Sequence, residues 1–430
     1  MPRELPHADA PSTPRCQPMT PVQRKLISGI VPVLEQHGNE ITTLMYKRML
    51  AETPLLMNFF SQSKQDRGHQ PEALAHALLA YASHIEDLTP ILPFVERIAH
   101  KHASIHIEPA QYEIVAKYLT DAIIQVVGAD VVKGELAEAW ISAYWNLAYI
   151  FIDRERELYE GAGWVGWREF IVDKKVKESD EIMSFYFKPK DGKPLEPFRP
   201  GQYISVQRYV PKLGIIQNRQ YSLSDAHDPD YYRISVKRED GIPTNLSDSS
   251  QLSHPGWISN ILHETLNESD TVELAYPFGE FVLDASSSPV VLLSAGIGLT
   301  PLLSMLNTLV KAEDTRRHVS WVQAVRNGSL HPFKEYVASV ARKHPDQVKT
   351  TIFYSNPQEN DVQGTDYDVR ARLDLNEVDR PTLRLDDRTT QYYVCGPGQF
   401  MADMFEALKA RGVEPNRLHA EVFGPGATPQ

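Results

Sequence analysis

The spacing of apolar residues changes twice along this chain, and that change constrains its fold more than any single motif does. Over the first third the apolar positions recur as one buried helical face. Ile114, Val115, Tyr118, Leu119, Ala122, Ile123 and Val126 form one such set, and Leu136, Trp140, Ala143, Tyr144, Leu147 and Phe151 a second. Leu74, Leu78, Tyr81, Ala82 and Ile85 form a third, with Pro71 ahead of it where a missing N–H costs nothing. Glycines then cluster at Gly161, Gly163 and Gly166, and the chain turns to short runs rich in β-branched and aromatic residues over 169–176, 182–188, 203–209, 231–237 and 272–276. Turn signals such as Asp191-Gly192 and Asp240-Gly241 separate strand-like runs, which predicts an antiparallel barrel or sandwich. From residue 287 strands and helices alternate: strand-like 289–294, 318–325, 348–354 and 391–395, with helical patterns at 302–310 and 332–343. Such alternation predicts a parallel sheet covered on both faces.

A chain of 430 residues has room for about three domains at roughly 150 residues each. No apolar run approaches the roughly 20 residues of a membrane-spanning helix, so stable membrane insertion is not expected. The formal net charge of −12 disfavours a nucleic-acid partner. The two cysteines, Cys16 and Cys395, stand in unrelated contexts, which fits a reducing compartment rather than a disulfide framework. Residues 1–19 carry Pro2, Pro6, Pro11, Pro14 and Pro18 and no apolar core, and read as a disordered extension. Arg3 and Arg15 alone would suit a mitochondrial presequence, but Glu4, Asp9 and the prolines oppose it, so the expected location is the cytoplasm. The polar, Ser-rich stretch 244–255 reads as a surface loop.

Several short motifs carry chemistry. Arg219-Gln220-Tyr221-Ser222 offers a cation for a pyrophosphate, a flat ring for an aromatic cofactor and a hydroxyl for its edge. Pro200-Gly201-Gln202-Tyr203 precedes it, and Gly256-Trp257-Ile258-Ser259-Asn260 follows and opens a helix whose free N–H groups suit phosphate. Gly296-Ile297-Gly298-Leu299-Thr300-Pro301 joins a strand to a helix, and Cys395-Gly396-Pro397 ends a later strand in the same way. Loops at such strand ends are where α/β sheets bind dinucleotides, although the third glycine of the usual fingerprint is missing. For Cys395 a buried small hydrophobe is a commoner role than a reactive thiol. Arg326, just past Val325, is placed either to meet a 2′-phosphate or to serve as a surface charge, which leaves NADH against NADPH open. The first third holds His37, His69, His76, His84, His100, His102 and His106, and spacing alone selects no metal ligand among them.

The motifs over 219–222, 256–260, 296–301 and 395–397 resemble those of the ferredoxin–NADP reductase superfamily, over roughly residues 164–425. With Leu44-Met45-Tyr46-Lys47-Arg48-Met49, Asn58-Phe59-Phe60, Gly68-His69-Gln70-Pro71-Glu72-Ala73-Leu74, Lys101-His102, Glu108-Pro109-Ala110-Gln111-Tyr112, Phe151-Ile152-Asp153-Arg154-Glu155 and the closing residues 419–425, the chain resembles the flavohaemoglobins from about residue 20 to 425. The resemblance implies a multidomain protein: an all-α globin domain over 20–160, an antiparallel β-barrel FAD domain over 164–284 and an α/β parallel-sheet NAD(P)-binding domain over 287–430.

What the resemblance implies for the sites follows residue by residue. His102 is the proximal ligand of the iron of haem b, with Tyr112 and Glu155 hydrogen-bonding around it; read without the family, Glu155 is a solvated helix charge between Arg154 and Arg156. Tyr46 and Gln70 face bound O2, and Phe60 and Leu74 close the pocket. Arg219 holds the FAD pyrophosphate, Tyr221 packs on the isoalloxazine, Ser222 approaches its reactive nitrogen, and Tyr203 and Gln220 belong to the same cradle. Gly256, Ser259 and Asn260 lie along the FAD phosphates. Gly296, Gly298, Thr300, Pro301, Cys395, Gly396 and Pro397 line the nicotinamide-nucleotide groove. Lys101 and Glu421 sit between haem and flavin, and Phe423 stacks near the flavin. The implied activity is nitric oxide dioxygenation: NO and O2 become nitrate, with electrons from NAD(P)H through FAD, in a monomer. Two other readings stay open, a haem-based O2 or NO sensor or carrier with an attached reductase, and a reductase whose helical domain holds no haem. The stretch 244–255 departs from the compact family loop and leaves the adenine end of FAD unassigned.

Overall fold

Residues 18–60, 69–241, 243–245, 248–252, 255–312 and 317–423 are described by the structure, a computed structural model. Most of the proline-rich start, with Cys16, lies outside the described residues, as do Gly68, Gly424 and Pro425. The chain divides into two compact units, one formed by Met1–Gly166 with Gln207–Arg219, the other by Trp167–Val206 with Gln220–Gln430.

The first unit is helical: α1 (Pro21–Gly29), α2 (Val31–Glu52), α3 (His69–Ser83), α4 (Leu92–Ala103), α5 (Pro109–Val127) and α6 (Gly134–Glu160). Thr20 and Gln23 cap the start of α1 reciprocally, and Glu108 and Gln111 do the same for α5, each with a proline in the first turn. One apolar core joins them, including Tyr118, Leu119, Ala122 and Ile123 of α5 and Trp140, Ala143 and Phe151 of α6. Met19, which the sequence places in the extension, is buried in that core, so the folded unit starts ahead of its first cap. Residues 207–219 join this unit through hydrogen bonds. Asn58 Oδ1 accepts from the Ile216 N–H at 3.0 Å, and the fully buried Gln217 side chain donates to the Met57 and Phe60 carbonyls, each at 3.0 Å.

A six-stranded sheet follows, in the order β4-β3-β8-β1-β2-β5. Its strands are β1 (Trp167–Lys177), β2 (Ile182–Pro189), β3 (Tyr203–Val210), β4 (Ile215–Ser222), β5 (Tyr232–Lys237) and β8 (Thr271–Ala275). β1 pairs antiparallel with β2 and β8, and β2 with β5. Leu223, one residue past β4, bridges to Ile234 of β5, which brings the two ends of the sheet together as a barrel. Between β5 and α7 (Trp257–Glu264) the loop expectation for 244–255 is corrected. The backbone forms a hairpin of β6 (Pro243–Asn245) and β7 (Asp248–Leu252), since Ser and Thr accept extended conformations when a partner strand is available.

The remaining strands form a parallel sheet, β11-β10-β9-β12-β13, from β9 (Val290–Ala295), β10 (Val319–Val325), β11 (Val348–Tyr354), β12 (Gln391–Cys395) and β13 (Leu418–Glu421). Side chains alternate between two buried faces. Val290, Leu292, Trp321, Tyr393 and Cys395 join a core that holds α8 (Leu299–Lys311) and α9 (Lys334–Lys343) residues. Val291, Leu293, Val322, Tyr392 and Val394 join a core that includes Leu383 of α10 (Arg380–Leu383) and Met401 and Phe405 of α11 (Gly398–Ala410). The strand order reverses between β9 and β12. That is the switch point at which loops diverge and a groove opens at the carboxyl ends of the strands.

Candidate functional site

In the helical unit three elements converge on one imidazole. His102 stands in the last turn of α4, Tyr112 in the first turn of α5, and Glu155 near the end of α6. His102 Nδ1 lies 2.7 Å from Glu155 Oε1 and 2.9 Å from the Tyr112 hydroxyl, which itself donates to the same carboxylate oxygen at 2.5 Å. Burial, with the Glu155 charge beside it, pushes the Tyr112 phenol well above its usual range, so it stays a neutral donor. Glu155 is only 2% exposed, which overturns its reading as a solvated charge. Its neighbours are spent elsewhere: Arg154 on Glu96 and Glu157, Arg156 on Asp153 and Glu160. Among the described residues the opposite nitrogen, Nε2, makes no hydrogen bond or ion pair.

The other helical candidates belong to α2, the turn after it, and α3. The Thr42 hydroxyl on α2 donates to the Pro71 carbonyl on α3 at 2.8 Å, which anchors Tyr46, one turn further on, to the start of the helix carrying Gln70. Tyr46 meets Phe60 edge-on, with ring centroids 5.3 Å apart. Desolvation raises the Tyr46 phenol above its usual range. Gln70 Oε1 is buried with no hydrogen-bond partner. Leu74 is half-buried against the same core as Tyr46 and Phe60. An imidazole with one edge tied to a carboxylate and Nε2 left open, together with an orphaned buried amide and an uncharged phenol, fits a haem group whose iron would take Nε2. Of the other histidines, His100 bonds Glu96, His84 the Ala80 carbonyl and His37 Glu40.

In the second unit the parallel sheet brings two predicted loops into contact. Gly298 follows β9, and a Cβ there would lie 2.1 Å from the Cys395 carbonyl oxygen at the end of β12. Only glycine lets the backbones of 296–298 and 395–396 approach so closely. Thr300 is buried and its hydroxyl donates to the Ile297 carbonyl at 3.1 Å, and Pro301 is buried beside it in the first turn of α8. Gly396 and Pro397 lead from β12 into α11. Cys395 is fully buried, and burial holds its thiol well above the usual range, so it is a packing residue and not a nucleophile. Ser294 Oγ, at the end of β9, is buried without a partner. Two facing loops at a switch point, one opening a 13-residue helix, fit a dinucleotide.

Ser222 ends β4, with Tyr221 half-buried beside it, and Gln220 Nε2 donates to Ser205 Oγ at 3.1 Å. Arg219 donates to the Asn218 carbonyl at 2.7 Å. Tyr203 pairs its backbone with Phe278. Gly256 caps α7, but the Ser259 and Asn260 side chains turn back on the Gly256 carbonyl at 3.2 and 2.9 Å, so they shape this turn in the structure. Arg326 is paired with Glu181. Lys101 and Glu421 are half-buried, each in its own unit, and Phe423 is exposed.

Sequence reasoning missed a polar cluster around Asp225 and Arg233, which meets Ser304 and Asn307 of α8. Its signal was present: Ser304 and Asn307 stand among the leucines and methionine of a largely apolar helix.

The Globin model matches residues 43–150, and the oxidoreductase NAD-binding domain model matches residues 292–406. A "Flavohemoprotein" of Bordetella parapertussis is 45% identical over 95% of this chain and 99% of its own length. Among solved structures, flavohemoglobin from Malassezia yamatoensis with bound FAD and heme superposes with a TM-score of 0.79 at 26% identity, covering 94% of this chain and 99% of that one. The FAD/NAD binding domain of a nitric oxide dioxygenase from Vibrio cholerae is 32% identical, with a TM-score of 0.51, over 60% of this chain and 99% of that one.

Proposed function

This chain belongs to the flavohaemoglobin family, and from that premise we propose that it is a nitric oxide dioxygenase, with electrons from NAD(P)H passing through FAD to a haem held by His102. When bound, the haem supplies the iron at which NO and O2 combine to nitrate, and the flavin supplies single electrons from a two-electron donor. The observation that carries the reading is the Glu155 carboxylate on His102 Nδ1 at 2.7 Å. A carboxylate there fixes the ring and its tautomer and makes Nε2 more electron-donating, which favours oxygen activation over reversible carriage.

The remaining roles follow from residue chemistry. Tyr46, kept protonated by burial, is a donor toward negative charge in the pocket, and the Gln70 amide is a second. Each hydrogen bond to a charged group is worth about 1.5–3 kcal/mol. Phe60 and Leu74 exclude water. We assign the globin domain to 20–160, the FAD domain to 164–284 and the NAD(P) domain to 287–430. In the FAD domain Arg219 neutralises pyrophosphate, Tyr221 and Tyr203 supply aromatic faces, Ser222 and Gln220 bond the flavin edge, and Gly256, Ser259 and Asn260 shape the phosphate turn. In the NAD(P) domain the backbones of Gly296, Gly298, Cys395 and Gly396, with Thr300, Pro301 and Pro397, receive the nucleotide. Lys101, Glu421 and Phe423 are assigned to the transfer of electrons from flavin to haem. The described helices include none long and apolar enough to cross a membrane, and the cytoplasm is the proposed location.

Stoichiometry tests the proposal. Two electrons leave each nucleotide and each NO needs one, so the loaded protein should oxidise one NADH for every two NO and two O2 consumed, with two nitrate formed. NADH oxidation that does not respond to NO would leave the sensor or carrier reading in its place.

A further inference from the structure

A polar stripe on one apolar helix fastens the barrel to the parallel-sheet domain within the second unit. α8 buries leucines and methionine along most of its surface, yet Ser304, Asn307 and Lys311 recur on one face. Ser304 is 0% exposed and Asn307 only 4%. A buried hydroxyl or amide costs stability unless it is bonded, so these residues are there for their partners. The partners lie on one short stretch, at Asp225 and His227. Ser304 Oγ donates to the Asp225 carbonyl at 2.6 Å, Asn307 Nδ2 to Asp225 Oδ1 at 2.7 Å, and Lys311 Nζ to the His227 carbonyl at 3.1 Å.

Asp225 is itself braced from the barrel. The buried Arg233 of β5 pairs with Asp225 Oδ2 at 3.2 Å, and the Tyr231 hydroxyl donates to the same oxygen at 3.2 Å. Arg233 also bonds Ser224 and lies over the Phe333 ring, 5.1 Å from its centroid. From α9, the Tyr336 hydroxyl donates to Asn307 Oδ1 at 2.9 Å, which fixes the amide with its nitrogen toward Asp225. Every polar atom of the Asn307 side chain is therefore assigned.

The place of this clamp decides what it does. Asp225 lies three residues past Ser222, about 10 Å of extended chain. Ser304 lies six residues past Gly298, about 9 Å of helix. We propose that Asp225 and Asn307 are positioning residues for reduction of the flavin, holding the strand end that carries Ser222 at a fixed distance from the loop that receives the nicotinamide. This rests on the reading that NAD(P)H reduces FAD in this unit. Their role is to fix donor and acceptor while the C4–H bond of the dihydronicotinamide breaks and its electron pair and proton pass together to the flavin, so the nucleotide is oxidised and the flavin reduced.

The test uses the full, cofactor-loaded chain and the variant Asn307→Ala, with Ser304→Ala as a second variant of smaller volume change. Anaerobic mixing with NADH should show flavin reduction slowed about tenfold to a hundredfold in Asn307→Ala. The NADH concentration giving half-maximal rate should barely move, and the isotope effect with NADH deuterated at the transferred position should rise. In the cofactor-free protein, amide exchange should quicken at 223–226 and along α8 but not in β1 or β2. Unchanged reduction rate and isotope effect in both variants would overturn the proposal. Wild-type protein whose flavin is not reduced by NADH or NADPH would instead overturn the reading beneath it, and this proposal with it.

Discussion

His102 and Glu155 are 53 residues apart in sequence and share one hydrogen bond of 2.7 Å, made in the interior of the helical unit. The carboxylate that receives it also receives the Tyr112 hydroxyl, so a single buried oxygen serves two donors and has little freedom to move.

Replacing that carboxylate tests its electronic role. Glu155→Gln keeps the shape but removes the charge, and loss of such a partner typically costs about tenfold to a hundredfold in activity. We expect O2-dependent NO consumption to fall by that factor while the haem absorption band stays, because His102 is still present. Equal turnover in Glu155→Gln and wild type would reduce Glu155 to a packing residue.

Gly298→Ala tests the contact between the two nucleotide loops. The added methyl would stand 2.1 Å from the Cys395 carbonyl, so the loops must part. Overpacking of this kind costs about 1–3 kcal/mol. We expect a lower melting temperature and a much weaker response of the flavin to NADH, while the haem band of the helical unit is unaltered. Retained NADH affinity would show that the loops tolerate separation.

A pH dependence follows from His331, which is buried with Nδ1 2.9 Å from the Tyr354 hydroxyl. Desolvation, with Lys334 nearby, lowers its pKa from 6.5 to about 4. The unfolded chain thus binds the proton first, and the contribution is complete above about pH 6.5 and lost as pH falls toward 4. It amounts to about 3 kcal/mol, from the size of the shift. Burial also lowers His227, His263 and His419 in the same unit, so the slope should flatten in His331→Phe without vanishing. Chemical denaturation at a series of pH values checks this, and an identical slope in the variant would contradict it.

Much of the fold was legible because it rests on local periodicity. The runs read at 182–188, 203–209 and 348–354 became β2, β3 and β11 within a residue or so. Helices α1, α2 and α4 were not read from pattern, and β13 is only four residues long and is paired in parallel with β12. The proximal histidine was not legible from spacing: His100 and His102 share α4 but point different ways, and only the tertiary partner, Glu96 for one and Glu155 for the other, separates them. Glu155 looked like a surface charge because Arg154 and Arg156 flank it, whereas the helix turns those two outward. The Asp225 cluster draws on β5, α8 and α9, and no local window contains it.

The most direct test of the central claim is NO consumption by purified, haem-loaded protein with NAD(P)H, taken from anaerobic to aerobic conditions beside a His102→Ala variant. The account predicts rapid O2-dependent loss of NO with nitrate formed in the wild type, and none in the variant. Flavin reduction without NO turnover in well-loaded wild type would contradict it.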